Sequence, residues 1–512
     1  MQKKERLINF FFNPIFPLLI IGILIFLPNY DFWDGRIISH AFAIDDISGV
    51  DSWFSSSGWL IQLLLIKFVF YIQSNFFISG IFLIKLISFF SLVGLVNEST
   101  KIGLKIYKFS EIESRLFGIS IAVFPAWSAL LSSVTFIYIL CTWLVFFGVR
   151  LIMHSKSILK RNIGFILTTL SFQLNSNFLF SIGLGLSFYL MNLGLNRQVN
   201  SSEKESRYKF IGIIVLSFLT YGLVRVFFTP YGLYEDYNQI SILNLFKTIF
   251  LSDKFGFASY PIFIFSSIFI TSLIYKNNFL KWSNLKIFKE KIILSPLFHS
   301  LILSIFATFP YLIVGKVTNI FAFSYWSQRH SFLLSFPIAL LLIGLGRIIN
   351  GLKSRSLKNN KVIIMPTILI LFCLLLSGFF TKISRASYEA GIINKLSSQP
   401  IPPSGILSIE TNHKIDPLMR FYEVNWLLYQ AFNKEFWYSN INKTNLSDKE
   451  EINLNLIKSN QTYKRRFIMN DYSASCNTII KVNGESKIKD TFMWLLFQKY
   501  PNDFSVKIKS DC

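Results

Sequence analysis

The chain has 512 residues and a formal charge of +23, yet 52% of its residues are apolar and only 15% are charged. The apolar residues come in long blocks, which excludes a soluble chain that hides them in its own core. A bilayer accommodates such blocks when each is helical and roughly 20 residues long, because a helix satisfies its own backbone polar groups. The composition is that of a polytopic α-helical membrane protein.

The first apolar stretch, Phe10 to Leu27, follows "MQKKER". It is too long for the core of a cleaved signal and no small-residue cleavage site follows, so it reads as a retained helix. Taken in order, the apolar runs are 8–28, 59–72, 77–96, 116–131, 134–149, 162–173, 178–195, 210–228, 259–275, 292–313, 331–346 and 362–381. Alternate connections are basic. Residues 97–115, 150–161, 196–209, 276–291 and 347–361, with Lys3, Lys4 and Arg6, carry 25 Lys and Arg, against 5 in the other set. The positive-inside rule makes the first set cytoplasmic. Most of the net charge therefore has a membrane explanation, and nucleic acid, the usual partner of a basic soluble protein, is not expected.

That asymmetry puts residues 29–57 outside and 97–115 inside, so the two runs between them do not both cross. The run 59–72 is short and carries Gln62 and Lys67, with Gln73 just beyond it. It is expected to lie along the outer interface while 77–96 crosses; the other possibility is that 59–72 crosses and a neighbour fails to. The expected architecture has about eleven transmembrane helices over residues 1–382 and a cytoplasmic N-terminus. An extracytoplasmic domain follows over 383–512. That tail mixes short apolar stretches, "GILSIE" and "NTIIKV", with a helix-like "FYEVNWLLYQAF", which predicts a small α/β or α+β domain. Cys141 and Cys373 fall in apolar runs, whereas Cys476 and Cys512 lie in the tail and can pair if it is extracytoplasmic. No Gly-rich phosphate loop, HExxH, CxxC pair or nucleophile elbow occurs.

The acidic loop 29–57 carries Asp31, Asp34, Asp45, Asp46 and Asp51 against a single basic residue, Arg36. Asp31 and Asp34 come within a turn of the first helix's end, where the membrane fixes their position. A carboxylate there can act as general base on an acceptor hydroxyl. A second carboxylate can hold a divalent cation such as Mg or Mn, and Asp45 and Asp46 are candidates for binding substrate. The plainer reading is that these acids cap helix ends and follow the charge asymmetry. Arg329 and His330 stand at the outer mouth of run 331–346, and Lys316 leads into the same loop. They are either interfacial anchors or phosphate ligands, for which arginine's fork is suited. Arg225, Gln173, Asn175, Asn177 and His299 are polar residues within or beside apolar runs, and intramembrane ionisable groups are functional candidates. Arg225 can snorkel or face a phosphate. Glu235 and Asp236 in "YEDY" add outer carboxylates.

A first crossing, an acidic first outer loop with Asp just past the helix, an interfacial helix and many further crossings resemble the GT-C superfamily, the integral-membrane glycosyltransferases that use polyprenyl-phosphate sugars. "FPAWSALLSSVTFIYILCTWLVF" is similar to the paired helices such enzymes carry, and "SYWSQRHSFLLSFPIALLL" to an Arg-His stretch before a Leu/Pro-rich helix. The resemblance implies a multi-pass enzyme of a bacterial cytoplasmic membrane that moves a sugar from a polyprenyl-phosphate donor to a glycan, lipid or protein acceptor. It implies Asp34 or Asp31 as base, with Arg329, His330, Lys316 and Arg225 near the donor phosphate. The family's acidic pair is tighter than Asp31 and Asp34, and the adjacent pair Asp45-Asp46 comes later, so the choice of base stays open. Three other classes fit a chain of this kind: an O-antigen-type polymerase, a transporter or flippase, and a non-enzymatic scaffold of envelope assembly.

Overall fold

The computed structural model describes residues 13–28, 30–195, 200–231, 295–316, 318–320, 326–352, 360–402, 406–411, 421–434, 437–438, 477–484, 487–501 and 503–510, with positions 234, 240, 241, 243, 466 and 468 besides. Its helices in chain order are α1 (Ile15–Phe26), α2 (Gly35–Ala43), α3 (Ser48–Ser56), α4 (Leu60–Phe76), α5 (Gly80–Lys105), α6 (Glu111–Ala122), α7 (Phe136–His154), α8 (Ile158–Ser171), α9 (Asn175–Leu195), α10 (Asn200–Phe227), α11 (Pro296–Leu312), α12 (Ser335–Leu352) and α13 (Asn360–Ser397). Two 3-10 segments, Pro125–Leu131 and Ser133–Thr135, join α6 to α7, and a third, Trp326–Leu334, leads into α12. The C-terminal part adds β1 (Ile406–Thr411), α14 (Phe421–Phe432), β2 (Trp437–Tyr438), β3 (Asn477–Gly484), α15 (Ile488–Phe497) and β4 (Phe504–Ser510).

Among the described residues five helices are long and apolar enough to cross a membrane: Gly80–Lys105, Ser133–His154, Asn175–Gly194, Ser327–Arg347 and Met365–Ser397. The bent pair formed by α6 and Pro125–Leu131, at 47° to each other, makes a sixth if it counts as one span. The chain is a polytopic helical membrane protein, but the expectation of eleven crossings is not met. Several apolar runs fold into helices that stop short. The 12 residues of α1 and the 14 of α8 rise about 18 and 21 Å at 1.5 Å per residue, against a hydrocarbon layer of about 30 Å. The 28 residues of α10 divide into the polar "NSSEKESRYK" and 18 mostly apolar residues with a single charge, Arg225. Run 259–275 lies outside the described residues, as do Glu235, Asp236, Cys476 and Cys512.

Local chemistry sets the boundaries. Ser110 caps α6 in a capping box with Glu113, and Arg347 of α12 then grips the Glu113 carboxylate with two nitrogens, at 2.8 and 3.0 Å. The break after α6 follows from Pro125: Phe124 before it is extended, as the residue preceding proline prefers. The polar residues of α4 bind it to its surroundings. Lys67 pairs with Asp51 at 2.9 Å. Gln73 accepts from Gly80 N at 2.7 Å and donates to Phe42 O at 2.9 Å.

The C-terminal sheet has the order β2-β1-β3-β4, parallel between β2, β1 and β3 and antiparallel between β3 and β4. Ile480 and Val482 are buried while the alternating Lys481 and Asn483 are exposed, the pattern of a one-sided sheet. The 382/383 division expected from composition falls inside α13, which runs unbroken to Ser397 and packs against α14 and α15.

Candidate functional site

The loop after α1 meets the broken segment between α6 and α7. Lys85, near the start of α5, donates to Pro28 O at 2.9 Å and Tyr30 O at 3.3 Å and holds the loop's entry. Asp31 is buried, and its two oxygens accept from Phe32 N (2.8 Å), Ser133 N (2.9 Å) and Ser39 Oγ (2.8 Å). Gly35 makes this turn possible: a Cβ there would stand 2.1 Å from Asp31 Oδ1. Asp31 is thus a brace between the loop, α2 and the helix break. Three donors from three segments hold this carboxylate in place.

Asp34 has different surroundings. It is half-buried, precedes α2 without capping it, and accepts a hydrogen bond from the Tyr422 hydroxyl of α14. Trp33 beside it has φ of +51°, a left-handed conformation that a bulky residue adopts only under constraint. The Lys382 ammonium of α13 lies 5.4 Å from the Trp33 ring centroid. Lys382 is buried and donates to Gln328 Oε1 at 2.8 Å and Ser128 Oγ at 3.1 Å. Gln328 in turn donates to Pro125 O and Ile320 O, at 3.2 and 3.3 Å. Two 3-10 segments, one from each half of the membrane region, therefore meet at a single lysine.

Arg329, next in sequence to Gln328, is buried; its Nε donates to Tyr138 Oη at 3.0 Å and its guanidinium lies 5.4 Å from that ring's centroid. His330 stacks on Tyr311 at 4.7 Å, and Tyr311 donates to Ser176 Oγ at 3.0 Å. Both Arg329 and His330 are buried.

Arg36, the lone cation of the acidic loop, is fully buried. It pairs with Glu389 of α13, stands 3.7 Å from Glu423 of α14 and lies over the Trp426 ring at 4.9 Å. Arg385 reaches both acids, at 2.9 and 3.3 Å, and Tyr30 donates to Glu389 at 2.6 Å. Burial opposes the charge on Arg36, but Glu389, Tyr30 and Glu423 hold its pKa above the ordinary guanidinium value. Burial, with Glu389 beside it, likewise raises the Tyr30 phenol, which stays a neutral donor.

Asp45 and Asp46 do not join this centre. Asp46 accepts from Ser48 N at 2.8 Å at the start of α3, and exposed Asp45 accepts from Ser74 Oγ at 3.2 Å. Lys316 is placed just past α11, its backbone N–H donating to Tyr311 O at 2.9 Å. Arg225 is in α10, with its side chain outside the described residues. No group of three or more His, Cys, Asp or Glu suited to a metal occurs among the described residues. Sequence reasoning missed Lys382, Gln328, Tyr422 and the acids around Arg36. The one available signal was a lysine directly ending the apolar run "ILFCLLLSGFFTK". Comparisons of the chain with protein-family models, with curated proteins and with solved structures find no match.

Proposed function

We propose that the protein is a membrane glycosyltransferase, with Asp34 as general base and the Lys382–Arg329 layer as the seat of a polyprenyl-phosphate sugar's phosphate. The observation that carries this reading is the placement of one half-buried carboxylate beside a tryptophan whose ring carries a buried lysine, at a helix break. A base must be reachable by a hydroxyl and a phosphate must meet cations in a low-dielectric layer; Asp34 and Lys382 supply those two conditions from neighbouring elements. In the reaction an acceptor hydroxyl gives its proton to Asp34 as its oxygen bonds the sugar's anomeric carbon. The bond from that carbon to the phosphate oxygen breaks, and the phosphate leaves with the electron pair against Lys382 and Arg329. Tyr422 orients the Asp34 carboxylate through its hydrogen bond, and no step is routed through a metal.

The experiment is sugar transfer by purified protein in lipid, offered labelled polyprenyl-phosphate sugars with envelope lipid and glycan acceptors. Wild-type transfer that falls by two or more orders of magnitude in Lys382→Ala supports the reading. A second reading, a flippase for a lipid-linked substrate, is favoured by the broken segment between α6 and α7, since discontinuous helices line transporter sites. Movement of an intact lipid-linked sugar across the bilayer without transfer would select it.

A further inference from the structure

Helix α15 has two faces with opposite fates. Thr491, Trp494 and Leu495 are buried: Thr491 Oγ1 lies 3.4 Å from Ser384 Oγ of α13, and Trp494 meets Tyr30 edge-on at 5.9 Å. The opposite face presents Ile488, Phe492 and Leu496 at successive i, i+4 positions, with Phe497 beside them. Their exposures are 67%, 49%, 57% and 69%. Residues four apart on a helix stack in one row, and a row of large apolar side chains on a polar domain marks a surface that something covers.

The neighbours of α15 identify the cover. Phe492 meets Phe380 of α13, ring centroids 5.7 Å apart. Phe380 closes the apolar stretch of that spanning helix: Thr381, Lys382, Ser384 and Arg385 follow. Tyr30, under Trp494, follows the end of α1, and Lys85 near the start of α5 reaches Pro28 O and Tyr30 O. The end of α1, the start of α5 and the end of the apolar stretch of α13 thus lie beside α15. Exposed lysines flank the apolar row: Lys487, which also pairs with Asp503, and Lys489 at one end, and Lys499 past the other. An apolar row with cations at its ends fits the boundary between acyl chains and anionic headgroups.

We propose that α15 lies in the interfacial layer of the membrane, with Ile488, Phe492, Leu496 and Phe497 against the upper acyl chains and Lys489 and Lys499 among anionic headgroups. The lipid holds the C-terminal domain down, and the inner face of α15 sets Trp494 on Tyr30 at the entry of the loop that carries Asp34. This docking does not depend on the activity proposed above.

The test uses the full chain with its four native cysteines replaced by serine, one copy per nanodisc of phosphatidylcholine and phosphatidylglycerol. An environment-sensitive fluorophore is attached at Leu496→Cys or, as a second site in case that variant folds poorly, at Ile488→Cys. Lys507→Cys on exposed β4 is the aqueous control. The expected result is several-fold weaker iodide quenching at 488 and 496 than at 507, together with strong quenching by a nitroxide carried high on the lipid acyl chain. Iodide quenching equal to that at 507 would overturn the proposal. So would shielding from iodide without quenching by the lipid nitroxide, which would put protein rather than lipid over the row.

Discussion

Asp31 and Asp34 stand three positions apart and do different work because their donors differ. Asp31 accepts from Ser39, Ser133 and its own loop, whereas Asp34 accepts from Tyr422, 388 residues away. Asp31→Ala leaves buried donors without an acceptor, at about 1–3 kcal/mol for each unsatisfied group. It is expected to lower the thermal midpoint of the solubilised protein clearly, as is Gly35→Ala, whose added carbon meets Asp31. Asp34→Asn is expected to leave that midpoint nearly unchanged. The sequence places both aspartates at the mouth of the first helix, which is correct. It does not separate them, since the separating contacts come from distant segments that periodicity cannot pair.

At the scale of elements, the molecule is held by α13, which leaves the apolar layer and continues as the spine of the C-terminal domain. Arg36, Glu389, Arg385 and Glu423 tie α2, α13 and α14 into one buried ionic group. Removing one member of such a group strands the others and costs about 3–5 kcal/mol. Arg36→Ala is therefore expected to loosen the C-terminal domain, seen as early proteolytic release of fragments from residues beyond 400. Proteolysis indistinguishable from wild type would show that the domain is held by other contacts. The basic exception in an acidic loop was visible in the sequence, but its partners were not. An acid in "FYEVNWLLYQAF" reads as a solvated helix face until α13 is known to cover it. Pro125 was equally visible, yet run 116–131 reads as continuous because its apolar residues do not stop at the break.

Over the whole molecule, the charge asymmetry and the apolar runs were enough to predict a many-helix membrane protein with a small C-terminal domain of strands and helices. Among the described residues the apolar runs overstated the number of crossings, because a run can fold into a helix of only 12 or 14 residues, shorter than the hydrocarbon layer. The same asymmetry predicts sidedness. In right-side-out vesicles an impermeant thiol reagent is expected to label Ser48→Cys from outside and Ser157→Cys only after lysis, both in a background without native cysteines. Labelling of Ser157→Cys from outside would reverse the orientation and put the acidic loop on the cytoplasmic side.

The central claim is that Asp34, and not Asp31, removes the proton in sugar transfer at this site. The most direct measurement compares transfer from labelled polyprenyl-phosphate sugars by wild type, Asp34→Asn and Tyr422→Phe in the same lipid. Loss of a general base removes a contribution of roughly 10²–10⁴ in rate, so Asp34→Asn is expected to be inactive within the assay. Tyr422→Phe, which removes one hydrogen bond from the carboxylate, is expected to retain measurable transfer. An Asp34→Asn protein that transfers sugar at the wild-type rate would contradict the account.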